Sequence, residues 1–293
     1  MQSNDETAHS NNPCQPNVTS PLQKGGGGGG SSIYFISDCH LGAGTMEDPL
    51  SYERRVVRFL DSIEEDCEEL YLLGDIIDYW FEFKEVVPKG FTRFLGKLAM
   101  MSDRGVKIHW FTGNHDIWIF DYLPKEIGCT LHTGPELVEL HGRRLYLAHG
   151  DGLGDDSRML RLMTGFFHNR TCQRLFRWIH PDWTTSFAHW WSRKSRLSGN
   201  EFPDYMGEDK ERLVQYTKRL MKEGTKADYY IYGHRHIMLD LMLSRDSRMM
   251  ILGDWITHFS YAVMDSEGEM SLEQFEYGDY EEEERNGVSI AIM

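Results

Sequence analysis

Carboxylate, amide and imidazole side chains recur in five short motifs, each placed directly after an apolar run. Together they offer oxygen and nitrogen donors without a thiolate, a set that suits Mn²⁺, Fe or Zn²⁺ more than a structural zinc site. One such motif alone is typical of a polar turn, but five in order indicate a two-metal site for phosphoester hydrolysis. The motifs are Asp38-Cys39-His40, Gly74-Asp75, Gly113-Asn114-His115-Asp116, His149-Gly150-Asp151 and Gly233-His234-Arg235-His236.

Seven of these side chains are the predicted metal ligands. Asp75 has two carboxylate oxygens and can bridge two cations, and Asp38 and His40 are close enough in sequence to reach one cation together. Two divalent cations about 3.5–4 Å apart would clamp the attacking and leaving oxygens at phosphorus. The predicted ligands are Asp38, His40, Asp75, Asn114, His149, His234 and His236.

The two residues after Asn114 are predicted to be catalytic. His115 would face the phosphate and protonate the leaving oxygen or stabilise developing charge. Asp116 would hold the tautomer of His115 from behind. Asp78 and Asp151 are expected to orient the groups that touch the cations. Cys39 is interpreted as a filler of the opposite face rather than as a ligand or nucleophile.

Composition restricts the class of protein. The net charge of −15 argues against general nucleic-acid binding. No apolar run is long enough for a transmembrane helix, and the N-terminus lacks the pattern of a secretory signal. The five cysteines are scattered and form no CxxC pair, which favours a reduced, cytoplasmic setting.

Short apolar runs that each close on a polar residue predict strands buried on both faces, and amphipathic segments lie between some of them. The fold class predicted is an α/β layered sandwich with the ligands at the carboxyl ends of strands. The predicted strands are Ile33–Ser37, Leu70–Leu73, Ile108–Thr112, Leu145–Ala148, Tyr229–Tyr232 and Met249–Leu252, and the predicted helices are Tyr52–Ile63, Phe91–Arg104 and Asp209–Glu223.

The chain divides into a central domain and two tails. Residues 1–32 are polar and contain six consecutive glycines, which predicts a disordered tail or linker. The catalytic domain is assigned to residues 33–277, and residues 278–293 to an acidic mobile tail. Residues 155–199 interrupt the strand pattern and are interpreted as an inserted helical cap over the site.

The cap segment is basic within an acidic protein, with eight Lys/Arg against three Asp/Glu, and it holds four of the eight tryptophans. The tryptophans are typical of a core, yet beside basic residues they also suit a lipid groove. The arginines are either solvated helix charges or contacts to substrate. The candidate substrate-binding residues are Arg158, Arg161, Arg170 and Trp178.

From residue 33 to about 275 these motifs resemble the calcineurin-like metallophosphoesterase superfamily. The resemblance implies a β-sandwich flanked by helices in αββα layers, and His115 with Asp116 as the catalytic pair. It implies one cation held by Asp38, His40, Asp75 and His236, and a second held by Asp75, Asn114, His149 and His234.

Within that superfamily the chain most resembles the UDP-2,3-diacylglucosamine diphosphatases of lipid A biosynthesis. The resemblance rests on GDIIDYW (74–80), on HGD followed by GDDSRMLRLM, on the insert ending WWSRKSR (190–196), and on the stretch from GHRH to LGDW. It implies a cap that holds acyl chains, cleavage of a pyrophosphate to UMP and a lipid monophosphate, a peripheral place at the inner membrane, and Mn²⁺ or Mg²⁺ with Mn²⁺ favoured.

The chain departs from that pattern in two places. His115 stands where the lipid A enzymes commonly have arginine, and Phe81-Glu82-Phe83 where Gly-Asp-Asp is usual. An alternative is therefore a broader metallophosphoesterase acting on another nucleotide, phosphodiester or phosphomonoester. A third hypothesis is a catalytically silent binding scaffold, but silent relatives typically lose ligands and all seven positions are filled here.

Overall fold

The computed structural model describes residues 31–44, 48–155, 157, 165–167, 169–198 and 205–275, with backbone only at 189 and 191–198. The glycine-rich and acidic tails predicted from the sequence lie outside these residues, except for the last two positions of the first. Arg158 and Arg161 also lie outside the described residues.

The described residues form two β-sheets and flanking helices. The strands are β1 Ser32–Ile36, β2 Cys67–Leu73, β3 Lys107–Phe111, β4 Thr130–His132, β5 Glu136–Leu140, β6 Arg143–Ala148, β7 Tyr229–Tyr232, β8 Met238–Ser244, β9 Ser247–Leu252, β10 Ser260–Met264 and β11 Met270–Gln274. The helices are α1 Pro49–Ile63, α2 Thr92–Asp103, α3 Tyr122–Ile127, α4 Arg170–Phe176, α5 Pro181–Ser198 and α6 Arg212–Glu223.

Parallel strands form the centre of both sheets. The first sheet has the order β11-β10-β1-β2-β3-β4, in which β1 to β4 run parallel. The second has the order β5-β6-β7-β9-β8, in which β6, β7 and β9 run parallel. The antiparallel strands β5, β8, β10 and β11 lie towards the sheet edges. Consequently the carboxyl ends of the central strands carry the loops on which the motifs lie.

Three apolar layers hold the sheets and helices together. Ile33 and Phe35 of β1 point into the layer between the two sheets, where they meet the side chains of β6, β7 and β9. Their neighbours Tyr34 and Ile36 point outwards into the layer under α1 and α2. A third layer packs α6 on the outer face of the second sheet. The predicted αββα sandwich is confirmed, and the two-sided burial explains why the central strands are continuously apolar.

All six predicted strands and all three predicted helices are present; Tyr229–Tyr232 has the predicted bounds, and the other elements are shifted at one or both ends. Helix α1 begins three residues earlier than predicted, because the Asp48 carboxylate accepts hydrogen bonds from the amides of Leu50 and Ser51 and proline occupies the first turn. The sequence reading missed α3 and the strands β4, β5, β8, β10 and β11.

The cap segment contains the helices α4 and α5, as its apolar pattern predicted. It rests on the body through aromatic contacts: the ring of Phe176 lies 4.8 Å from that of Phe81 and 4.9 Å from that of Trp118. The Trp118 indole also donates a 3.0 Å hydrogen bond to the Phe167 carbonyl. Among the described helices, none combines the length and apolarity needed to cross a bilayer.

The Glu69 carboxylate on β2 contacts the side chains of three strand residues. Its ionisation should make the free energy of unfolding depend on pH. His109, Lys107 and Tyr71 contact it, and the hydrogen bond from His109, followed by those from Lys107 and Tyr71, lowers its pKa from 4.5 to about 2 against the effect of burial. We expect Glu69→Gln to lower the free energy of unfolding by roughly 1–2 kcal/mol at pH 7.

The pH dependence of this loss follows from the direction of the shift. A lowered native pKa means that the carboxylate stabilises the fold fully above pH 4.5 and loses this effect as pH falls towards 2. Urea unfolding of both proteins between pH 7 and pH 3 should therefore show a difference that shrinks below pH 4.5. A difference that is constant with pH would contradict this role of the charge.

Candidate active site

The loops that follow β1, β2, β6 and β7 meet at one edge of the sandwich. Backbone hydrogen bonds connect them: the Asp38 amide donates to the Gly74 carbonyl at 3.0 Å, and the His40 amide to the Asp75 carbonyl at 2.9 Å. In the second sheet the Gly233 amide donates to the His149 carbonyl at 2.9 Å. The motifs are therefore fixed to each other through the backbone, independently of any ligand.

Most of the predicted ligands have a left-handed backbone conformation, which sets the direction of their side chains. Such a conformation costs a non-glycine residue about 1–3 kcal/mol, so it persists where the surroundings enforce it. Among the described residues, eight non-glycine positions have this backbone, and five of them are predicted ligands. These five are Asp38 (φ 52°), His40 (φ 45°), Asp75 (φ 52°), His234 (φ 67°) and His236 (φ 50°).

Glycines make room for the ligand side chains. A Cβ at Gly74 would lie 2.5 Å from Nδ1 of His149, and a Cβ at Gly233 would lie 2.5 Å from Oδ2 of Asp38. A Cβ at Gly113 would overlap the Asp75 carboxylate. Each ligand loop thus accepts a side chain from another loop in space that any larger residue would fill.

The converging side chains form two overlapping groups around Asp75. In the first, Nε2 of His236 lies 3.3 Å from Nε2 of His40 and 3.4 Å from Oδ1 of Asp38. In the second, Nε2 of His149 lies 3.2 Å from Oδ2 of Asp75, and His234 completes the group. The same Asp75 oxygen lies 3.8 Å from Nε2 of His40, so Asp75 stands between the groups.

The donor atoms fit a pair of cations. Oδ1 of Asp38 is buried and has no hydrogen-bond partner among the described residues, and the buried Nε2 of His149 faces the Asp75 carboxylate at 3.2 Å. A buried polar atom without a partner is costly, and a cation between these oxygen and nitrogen donors would satisfy both. Asn114 lies in the loop between Gly113 and His115 and is exposed.

Hydrogen bonds on the far side of three of the imidazoles orient their rings. Nδ1 of His149 donates to the Leu73 carbonyl at 2.8 Å. Nδ1 of His40 lies 3.2 Å from Asp78, and Nδ1 of His236 lies 3.2 Å from Asp254. These contacts direct Nε2 of each ring towards the centre, the arrangement common for imidazoles that bind metals.

Burial and charge set the protonation of the centre. Burial lowers the pKa of His40 and lowers that of His234 to about 3, so both rings are neutral and offer a lone pair. Burial opposes charge on Asp75 as well, but the neighbouring histidines, led by His149, hold its pKa well below the usual range. The Asp75 charge in turn raises the pKa of His149 despite burial.

His115 lies beside the centre and forms a cluster with His40 and Asp75. Its Nδ1 is 2.9 Å from the Asp78 carbonyl and 3.4 Å from the Asp78 carboxylate. Asp78, rather than Asp116 as the sequence suggested, is therefore the partner that orients the His115 ring.

Asp116 organises the backbone beneath the centre. Its buried carboxylate accepts hydrogen bonds from the amides of Gly113 at 2.7 Å and Ile76 at 3.1 Å and from the Trp110 indole at 3.2 Å. Burial and the charge of Asp75 raise its pKa to about 6. The side chain holds two ligand loops together and does not reach the His115 ring, because its oxygens are engaged by the backbone.

Two of the four cap residues predicted to bind substrate are among the described residues, and both are exposed at the surface. Arg170 begins α4 and is exposed, and Trp178, after the end of α4, is 89% exposed. Asp151 follows His149 at the edge of the centre.

The sequence reading missed three positioning residues. Asp254 holds His236, as described above. Glu211 is buried and accepts a two-pronged ion pair from Arg235, at 2.8 and 3.0 Å, which anchors the loop that carries His234 and His236. The Tyr52 hydroxyl of α1 donates to the Cys39 carbonyl at 2.7 Å. Only Asp254 had a sequence signal, since Gly253-Asp254 follows a strand as the ligand motifs do.

Comparison with known proteins shows the family of this chain. The family model for calcineurin-like phosphoesterases matches residues 31–238. A UDP-2,3-diacylglucosamine hydrolase of Porphyromonas gingivalis is 43% identical over 80% of this chain and 94% of its own length. Proteins of the same name from Neisseria meningitidis and Nitrosococcus oceani are 29% and 26% identical, over 78% and 76% of this chain and 91% and 87% of their own lengths. The chain belongs to the calcineurin-like phosphoesterase family.

Proposed function

We propose that this protein hydrolyses the pyrophosphate of UDP-2,3-diacylglucosamine to UMP and a lipid monophosphate, a step of lipid A biosynthesis. The observation that carries the proposal is the 43% identity to the Porphyromonas gingivalis hydrolase over 94% of that protein's length. A match of this extent includes the cap segment as well as the metal motifs, so it concerns the part of the chain that would meet the lipid.

The surface of the cap supports a lipid substrate. Burial of apolar side chains is favourable, so a large exposed apolar group indicates a surface that is covered during function. Among the described residues between 166 and 190, eight large apolar side chains are more than one-third exposed. They are Phe166, Phe167, Leu175, Trp178, Ile179, Trp183, Phe187 and Trp190.

The same surface also supports binding of the protein to a membrane. Arg170, Arg174 and Arg177 are exposed beside these apolar side chains, and such a combination suits an anionic lipid surface. We place the protein at the cytoplasmic face of the inner membrane, bound peripherally through the cap.

The centre would hold two divalent cations, with Mn²⁺ preferred over Mg²⁺, Fe and Zn²⁺. Asp38, His40, Asp75 and His236 would hold one of them, and Asp75, Asn114, His149 and His234 would hold the other. When bound, the cations polarise the phosphoryl oxygens and make water a stronger nucleophile near neutral pH. Asp75, which stands between the two groups, would contribute to holding both cations, a role that no neutral side chain would fill as well.

His115 is the residue that would donate a proton to the leaving oxygen. Its Nδ1 proton is held by the Asp78 carbonyl at 2.9 Å, which leaves Nε2 to exchange a proton with substrate. The Asp78 carboxylate, 3.4 Å from Nδ1, is a second contact on the same side of the ring.

The departure at Phe81-Glu82-Phe83 concerns the cap rather than the cations. Phe81 is buried against Phe176 of α4. Glu82 is buried and accepts hydrogen bonds from the amides of Asp121, at 2.8 Å, and Tyr122, at 3.2 Å, where α3 begins. These residues shape the base on which the cap rests, so they bear on the choice of lipid and leave the donor set intact.

Turnover of UDP-2,3-diacylglucosamine with added Mn²⁺ tests the proposal. Phosphorus NMR should show UMP and a lipid monophosphate with the wild-type protein and no product with Asp75→Ala, because loss of the shared carboxylate removes a ligand from both cations. If the wild type leaves this lipid intact but cleaves an aryl phosphodiester, the two-metal site stands and the function is that of a broader phosphoesterase.

His115→Ala should separate proton transfer from cation binding. We expect kcat to fall by roughly 10²–10⁴-fold, the usual contribution of a general acid, while the Mn²⁺ content per chain stays at the wild-type value. Steady-state kinetics and elemental analysis of the same preparation measure both quantities. Loss of a cation from the variant would instead place His115 among the ligands, and an unchanged kcat would remove it from the mechanism.

A further inference from the structure

The described part of the chain ends beside helix α1, away from the cap. Phe275 is its last residue and donates its amide to the Phe259 carbonyl at 2.8 Å. The Phe275 ring lies 5.7 Å from that of Phe59 on α1 and 6.1 Å from that of Trp255. The residues that follow Phe275 in the sequence therefore start next to α1, on the outer side of the first sheet.

Helix α1 carries three arginines near this point, at neighbouring positions of its surface. They are Arg54, Arg55 and Arg58, and we call them the arginine face. Arg55 lies one turn before Phe59, and its guanidinium is 4.2 Å from the centre of the Phe259 ring. Since Phe259 and Phe59 both contact Phe275, the arginine face borders the place from which the chain continues.

The negative charge that balances Arg55 and Arg58 comes from outside the helix. Like charges one turn apart on a helix repel each other, and the two carboxylates within α1 are engaged elsewhere. Glu53 accepts hydrogen bonds from the amides of Arg93, at 2.7 Å, and Phe94, at 3.0 Å. The carboxylate of Asp61 lies 2.6 Å from the Lys97 amine.

The segment that follows Phe275 has the complementary charge. Residues 276–284 have the sequence EYGDYEEEE, which is six carboxylates in nine residues without a lysine or arginine. An extended chain of this length reaches about 30 Å, whereas Arg55 and Arg58 are separated by only about 4.5 Å along the helix axis. The two tyrosines of the segment can also pack on guanidinium groups, as Phe259 does on Arg55.

The loop that contains Phe259 connects this region to the candidate metal centre. Phe259 has a left-handed backbone (φ 50°), which a bulky residue keeps only where its surroundings enforce it. The loop begins at Asp254, whose carboxylate accepts from the His258 amide at 3.1 Å and lies 3.2 Å from Nδ1 of His236. The Gln274 side chain donates to the His258 carbonyl at 3.0 Å. The end of β11 is thus joined to the loop that orients His236.

We propose that residues 276–284 bind along the arginine face of α1 as an intramolecular strap, and that the strap restrains the loop 254–259 and so helps to position His236. In this arrangement the acidic segment supplies the counter-charge of α1. Attachment of the strap weakens as salt screens the charges.

Carbodiimide cross-linking of the full chain tests where the segment binds. The reagent joins an amine and a contacting carboxylate as an amide, with loss of water. Arg58→Lys therefore supplies a reactive amine on the arginine face and keeps its charge. We expect peptide mass spectrometry to find position 58 linked to a carboxylate of residues 276–284, in a yield that falls at high salt.

Two internal comparisons make the cross-linking result decisive. Lys97 lies 2.7 Å from the Glu64 carboxylate and should be linked to it in every sample. Arg219 is exposed on α6, which packs on the second sheet, so Arg219→Lys should give no link to residues 276–284. If position 58 stays unlinked while Lys97 is linked, or if position 219 is linked equally well, the proposal is overturned.

A mixture of ¹⁵N-labelled and unlabelled Arg58→Lys protein separates a strap from an exchange between two chains. An intramolecular strap gives links only between peptides of the same label. Links between labelled and unlabelled peptides would assign the acidic segment to a second copy of the chain and overturn the strap.

Hydrogen exchange measures the restraint on the loop. The full-length variant combines Glu281→Gln, Glu282→Gln, Glu283→Gln and Glu284→Gln. We expect the amides of residues 256–258 to exchange about threefold to tenfold faster than in the wild type, because a few surface ion pairs are lost. Strand β7, which lies in the other sheet, should exchange at the wild-type rate. Wild-type exchange at residues 256–258 in this variant would overturn the restraint on His236.

Discussion

Three glycines leave the space in which the side chains of the candidate active site meet. Gly74, Gly113 and Gly233 each accept the side chain of a residue from another loop, namely His149, Asp75 and Asp38, at distances that a Cβ would make impossible. The loops can approach because the parallel strands before them end at one edge of the sandwich. Close packing of backbone against ligand, rather than long flexible side chains, therefore defines the positions of the donor atoms.

This convergence brings charged and polar groups close together in a buried space, and hydrogen bonds from surrounding residues hold them there. Two buried carboxylates and several imidazoles share a small volume from which water is largely excluded. Asp78 and Asp254 hold the outer nitrogens of His40 and His236, and Asp116 holds the loop amides, so the inner oxygens and nitrogens face each other across the centre. An arrangement of converging donor atoms that hydrogen bonds hold from behind is suited to receive cations.

The sequence was sufficient to predict the central strands and the ligand motifs. It was insufficient for features that depend on contacts between residues distant in sequence. Ile33–Ile36 reads as a strand because both faces are buried. In contrast, β8 has a single buried residue and is interrupted by Asp240, and β11 alternates apolar with polar residues, so neither shows a buried apolar run. The motif order was enough to predict which side chains converge, since six of the seven predicted ligands meet at the centre. The partner of His115 did not, because the path of the backbone brings Asp78 to the ring and turns the adjacent Asp116 inwards. Glu211 meets Arg235 across 24 positions of sequence, and no local pattern predicts such a pair.

The most direct test of this account is the number of Mn²⁺ ions that bind tightly to Gly113→Ala, measured by equilibrium dialysis and elemental analysis. The backbone at Gly113 is not left-handed, so alanine adds a methyl group and nothing else; that methyl overlaps the Asp75 carboxylate. We predict two ions per chain for the wild type and for the control Gly96→Ala, and fewer than one for Gly113→Ala. Two tightly bound ions in Gly113→Ala would contradict the claim that the glycine packing builds the centre.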